Sequence, residues 1–196
     1  MKQITRHTAS SFKQRMACAA ATLAVALSAG LFASAAHADD YTDVSALIKS
    51  GKLAEALAKA DVYLTAKPKD PQMRFLKGVV LTESGKTDDA IATLSGLTQE
   101  FPELPEPYNN LAALYASQNQ FDKARTALEM AVRLNPAYAT AHENLGDIYA
   151  KLASQSYAKS LQLNANNPQA TQKAAALRDL LAPQTKARAA AKPAAK

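Results

Sequence analysis

Apolar and polar positions along this chain follow a helical rhythm for most of its length. The clearest stretch runs from Pro105 to Pro136, PEPYNNLAALYASQNQFDKARTALEMAVRLNP. Tyr108, Leu111, Ala112 and Tyr115 recur at spacings of three and four and share one face of a first helix. Ala124, Leu128 and Ala131 share one face of a second. Asn119 and Gln120 interrupt the pattern where the chain must reverse. Pro136 ends the second helix, because it lacks an N–H donor and clashes with the preceding turn. The stretch predicts two amphipathic helices folded against each other.

The same features return at a step of 34 residues. Gly51, Gly85 and Asn119 share a column at the turn, where a helix that stops sharply needs a residue tolerant of a left-handed backbone. Ala56, Ala90 and Ala124 share a second column, read as the close contact between helices that a larger side chain would wedge apart. Pro68, Pro102 and Pro136 close each unit. With Tyr108, Leu111, Ala112 and Tyr115 ahead of the turn, these columns resemble the tetratricopeptide repeat. The resemblance implies an all-α, right-handed α-solenoid of helix–turn–helix repeats that binds proteins. Its units are expected at about 37–70, 71–104, 105–138 and 139–167. The first starts only near Tyr41 and lacks the aromatic column. The second carries Arg74 and Lys77 where an aromatic residue and Leu are usual, with Gly78 in the small column.

The fourth unit opens in register, with His142, Leu145, Gly146 and Tyr149, and then departs. The segment YAKSLQLNANNP resembles the end of a second helix but arrives five residues early, with no Gly, Pro or Asn ahead of it to turn the chain. Leu145, Tyr149, Leu152, Ser156, Tyr157 and Leu161 instead continue one face. The expectation is a single helix from about Thr140 to Leu163, with the usual two-helix hairpin as the alternative. Asn164 to Pro168 is a turn cluster. A final helix within 168–182, offering Ala175, Leu177, Leu180 and Leu181, is expected to cap the array. Residues 183–196, almost all Ala, Lys and Pro, are expected to form a disordered basic tail.

Residues 1–38 read as an address. Lys2, Arg6, Lys13 and Arg15 precede an apolar run from Met16 to Phe32, and Ala36-His37-Ala38 fits a small-residue cleavage site. The expectation is an exported protein, periplasmic or secreted, with its leader cut after Ala38. A retained membrane anchor, giving a tethered scaffold, is the alternative. The single cysteine, Cys18, falls inside the leader. Charge follows the same division. The chain has a net charge of +6, from 23 Lys and Arg against 17 acids. Four of those basic residues precede residue 39 and four follow 182, leaving 15 against 17 in the body. The basic balance belongs to the ends, so a nucleic-acid partner is not expected. The tail is expected to contribute at most weak contact with an anionic membrane surface.

Few residues here carry chemistry. Beyond the leader His142 is the only histidine, and its aromatic column marks it as a packing residue, core or half-buried. His142-Glu143 is not a zinc-protease pair, because Gly146 stands where the second His belongs. Asp39, Asp40 and Asp43 suit the start of a helix better than a calcium loop. Thr87, Asp88 and Asp89 read as a cap with acids matched to the helix dipole. No catalytic set, metal site or cofactor site can be assembled, which leaves an enzyme without any familiar motif as a remote alternative to a binding protein. The repeat resemblance implies a ligand groove lined by the first helix of each unit. Its columns fall on Phe75 and Val79, then Asn109, Asn110 and Ala113, then Glu143, Asn144 and Asp147. The amides of Asn110 and Asn144 can each donate to and accept from a peptide backbone.

Overall fold

The computed structural model describes residues 40–182, and every regular element among them is an α-helix. The expected leader at 1–38, Asp39 and the expected tail at 183–196 lie outside the described residues. The helices are α1 (40–49), α2 (Leu53–Ala66), α3 (Pro71–Glu83), α4 (Thr87–Glu100), α5 (Pro105–Ser117), α6 (Phe121–Leu134), α7 (Ala139–Leu163) and α8 (Pro168–Leu181). Within α3, after Val80, the chain divides into two compact units.

The first unit is centred on Val44, Ala56, Ala60, Met73 and Val80, all completely buried. One carboxylate ties its helices together. The Tyr41 hydroxyl donates to Asp70 Oδ2 at 2.6 Å, and the Tyr63 hydroxyl donates to the same oxygen at 3.3 Å. Asp70 Oδ1 accepts the Met73 N–H at 2.8 Å, which caps α3. Tyr41 stands one place past the repeat's aromatic column, where the sequence has Asp40, and still anchors α1. Asp43 is paired with Lys59. Lys77, which replaces the usual Leu, reaches Asp61 at 2.7 Å. Both departures from the apolar pattern are thus absorbed by ion pairs between helices.

The second unit is centred on Ala112, Ala124, Leu128 and Ala131, each no more than 1% exposed, with Ala141 and Ile148 beside them. Here α5 packs on α4 and α6, α7 on α6, and α8 on α7.

Across both units the turn column behaves as its residue types require. Gly51, Gly85 and Asn119 have φ of 74°, 70° and 58°. Each turn has the same pair of hydrogen bonds. The N–H groups of Gly51, Gly85 and Asn119 donate to Ile48, Thr82 and Ala116 at 2.9–3.0 Å. Those of Lys52, Lys86 and Gln120 donate to Leu47, Leu81 and Tyr115 at 2.9 Å. This is the Schellman closure, which satisfies the last carbonyls of one helix while reversing the chain. It also corrects the expected cap at Thr87. The turn makes Lys86 the residue before the helix, Thr87 enters the first turn, and no side chain caps α4. Asp88 and Asp89 do lie in the first turn, where the dipole favours acids.

The fourth unit does not turn. α7 is one helix of 25 residues, because nothing between Tyr149 and Tyr157 offers a left-handed stop. Two further expectations change as a result. Gly146 is not at a helix contact: it is exposed, and a Cβ added there would meet nothing within 4 Å. His142 is also exposed rather than packed, since no returning helix covers it. Its Nε2 donates to the Pro136 carbonyl at 3.0 Å, as the hydroxyl of Tyr108, in the same column, donates to Pro102 at 3.3 Å. In α8, Asn167 caps the helix by accepting the Ala170 N–H at 3.1 Å. Leu180, expected to pack, is 68% exposed.

Candidate functional site

The proline at the start of α5 and the bend after Pro136 set α5 and α7 side by side in the second unit, each presenting its leading-helix columns. Between them lies a concavity of about 250 Å³ whose walls include Ala113, Asn119, Phe121, Asn144, Asp147 and Lys151. Ala113, Asn144 and Asp147 are therefore brought together as the sequence columns predict. Asn109 is not a wall residue. It is 7% exposed, and its Oδ1 accepts Asn144 Nδ2 at 2.9 Å across the two helices. Its role is to fix Asn144. One N–H of Asn144 is used, and its carbonyl oxygen and second N–H retain the pairing capacity that a peptide backbone needs.

The remaining predicted residues lie elsewhere. Asn110 is half-buried on α5 and Glu143 is exposed on α7, both outside the wall of the concavity. Phe75 and Val79 belong to the first unit, where both are half-buried. Asn119, Phe121 and Ile148 line the concavity without having been singled out for it. The repeat columns count leading helices only, whereas Asn119 arrives from the turn that follows α5 and Phe121 from the start of α6. Away from this concavity, burial, and then the charge of Glu106, raises the Tyr138 phenol above its ordinary value. A second, wider concavity of about 510 Å³ is walled by Thr98, Tyr108, Leu111, Tyr115, Lys123 and Met130. It has aromatic and aliphatic walls but no pair of amides. Among the described residues no cluster of His, Cys, Asp and Glu could hold a metal ion, and no helix is long and apolar enough to cross a membrane.

Comparison with known proteins agrees with the turn and alanine columns. Residues 47–114 match the family model described as tetratricopeptide repeat, and residues 113–152 match that described as TPR repeat. Residues 47–152 are tetratricopeptide repeats. The match to the family ends in α7, where the fourth repeat fails to turn. A curated relative from Arabidopsis thaliana, the tetratricopeptide repeat domain-containing protein PYG7, chloroplastic, is 38% identical over 82 residues. That alignment takes in 39% of this chain and 27% of the relative, so the chain spans little more than a quarter of that protein. The thermophilic tetratricopeptide protein TTC0263 of Thermus thermophilus has a TM-score of 0.55 at 21% identity, over 74% of this chain and 82% of its own. The first TPR domain of human RPAP3 has a TM-score of 0.56 at 19% identity, over 60% of this chain and 92% of its own. YrrB, described as a TPR protein with an unusual peptide-binding site, has a TM-score of 0.50 at 23% identity, over 53% and 54%. These likenesses establish an all-α tetratricopeptide solenoid fold.

Proposed function

We propose that this chain is an exported adaptor or assembly factor of the cell envelope that holds a protein or peptide segment between α5 and α7. The observation that carries the reading is the Asn109–Asn144 hydrogen bond, which fixes one amide at the wall of a concavity that also offers Asp147 and Lys151. A fixed amide suits an extended peptide, because it meets a backbone N–H and C=O without losing side-chain freedom on binding. YrrB, similar in fold, is itself described as peptide-binding. The reading as a binder rather than an enzyme, with no cofactor, rests on the side chains at hand: His142, the one histidine among the described residues, is engaged by the Pro136 carbonyl. Export is our reading of the basic and apolar leader and the Ala36-His37-Ala38 site.

Capture tests the whole. A C-terminally tagged chain drawn from its native envelope should begin at Asp39 and bring a protein with it. Asn144→Ala combined with Asp147→Ala, both at the wall of the concavity, should weaken that capture while the helical signal stays intact. A chain beginning at Met1 in the membrane fraction would make the module a tethered scaffold. Undiminished capture by the double variant would move the binding face away from α5 and α7.

A further inference from the structure

α7 carries both halves of a repeat hairpin on one straight rod. Leu145, Gly146 and Tyr149 continue the columns of Leu111, Ala112 and Tyr115 in the leading helix. Ala153, Tyr157 and Ser160 continue those of Ala124, Leu128 and Ala131 in the returning helix, five residues early. The exit from the rod fixes this register. Asn164 N–H donates to the Ser160 carbonyl at 2.8 Å, as Asn135 N–H donates to Ala131 at 3.0 Å.

In the third repeat these two sets of columns bury each other. Ala112, Ala124, Leu128 and Ala131 are no more than 1% exposed and form one cluster. On α7 both sets lack that cover. Gly146 is open, Tyr149 is 48% exposed, and Ala153, Tyr157 and Ser160 are not buried. α6 packs against both α5 and α7, whereas on α7 the returning-helix columns Ala153, Tyr157 and Ser160 are only half-buried, with Lys173 of α8 5.6 Å from the centre of the Tyr157 ring. The neighbour missing from each half of α7 is the other half, and a straight helix cannot bring the two together.

We propose that a second copy of this chain supplies that neighbour. Two α7 helices lie antiparallel about a two-fold axis near Lys151. The Gly146 face of each packs on the Ala153 and Tyr157 face of the other, rebuilding two repeat hairpins between copies. The contact is isologous, so the same patch serves both partners and the assembly closes at two. The occupant follows from the sequence itself: these faces are the halves of a contact the chain already makes once, within a single copy, between α5 and α6. The arrangement also gives Gly146 a purpose, since a helix crossing needs a small residue where the Tyr157 ring of the other copy arrives.

Light scattering and sedimentation of the intact chain should give twice the chain mass, and a monomer at tens of micromolar would overturn the proposal. Inserting Ser-Gln-Asn-Gln-Phe after Ala150 restores the missing turn and should yield a monomer with its helical signal retained. A dimeric insertion variant would place the interface elsewhere and overturn the proposal. Gly146→Arg should weaken association at least about tenfold, and unchanged association would count against it. The partnership can also be trapped. In a Cys18→Ser chain, Gly146→Cys and Tyr157→Cys stand 11 residues apart on α7, roughly 16 Å, beyond the reach of a disulfide within one helix. Oxidation should therefore link two copies covalently, and a chain that stays unlinked would refute the pairing.

Discussion

Small side chains set the spacing of this array. Ala56, Ala90 and Ala124 are wholly buried, each near the start of the helix that returns after a turn. Added volume in such a column must push helices apart. Ala90→Leu or Ala124→Leu should cost about 1–3 kcal/mol, read as a lower urea midpoint with an unchanged slope. An undiminished midpoint would show that these alanines do not separate helices. Tyr41 acts by a different route. Burial, and then the hydrogen bond to Asp70, raises its pKa far above the ordinary value of 10.0. The folded chain therefore holds this proton after the unfolded chain has released it. The stabilisation is complete below pH 10 and is lost as pH climbs beyond it towards the raised value. Tyr41→Phe should flatten that alkaline loss relative to the parent chain, measured by urea unfolding at pH 8 and pH 10.5. Equal alkaline losses in the two proteins would remove Tyr41 from the account.

Helices and turns were largely legible from the sequence, and the reason is local. A left-handed backbone at Gly51, Gly85 and Asn119 is a requirement of the chain itself, so the residue type reports it directly. Asn119→Val should destabilise by about 1–2 kcal/mol, and Asn119→Gly should be nearly neutral in the same thermal melts. Equal effects would mean that the turn does not need its left-handed residue. The unbroken α7 is legible for the same reason, since the stop signals are missing. What the periodicity does not reveal is which columns find a neighbour. His142 and Gly146 occupy packing columns and are exposed because the helix that would cover them never returns. The site was legible only in part. Ala113, Asn144 and Asp147 follow from repeat columns, but the burial of Asn109 depends on a bond between residues 35 positions apart. The contributions of Asn119 and Phe121 come from the turn and the start of α6, which lie outside those columns.

For the molecule as a whole, charge decides which peptide the proposed groove would prefer. Residues 39–182 are slightly acidic, and α7 exposes Asp147 at the wall of the concavity and Glu143 outside it, with Lys151 as the nearby cation. One lysine is a poor clamp for a chain-terminal carboxylate, which is best held by several converging cations. The preferred ligand should therefore be an internal, extended segment with an apolar anchor for the Phe121 and Ile148 wall and basic residues beside it. Labelled ten-residue peptides with one leucine anchor and either three lysines or three glutamates make this testable. The lysine peptide should bind more tightly, and its association should slow as salt rises, because screening acts within about 10 Å at 0.1 M. Reversal of Glu143 and Asp147 to lysine should lower the association rate and weaken that salt dependence, with a smaller effect on dissociation. Both residues are exposed, and exposed charge steers encounter more than it holds the complex. Equal binding of both peptides, or a salt dependence untouched by the reversal, would show that the acidic side of α7 does not select the ligand.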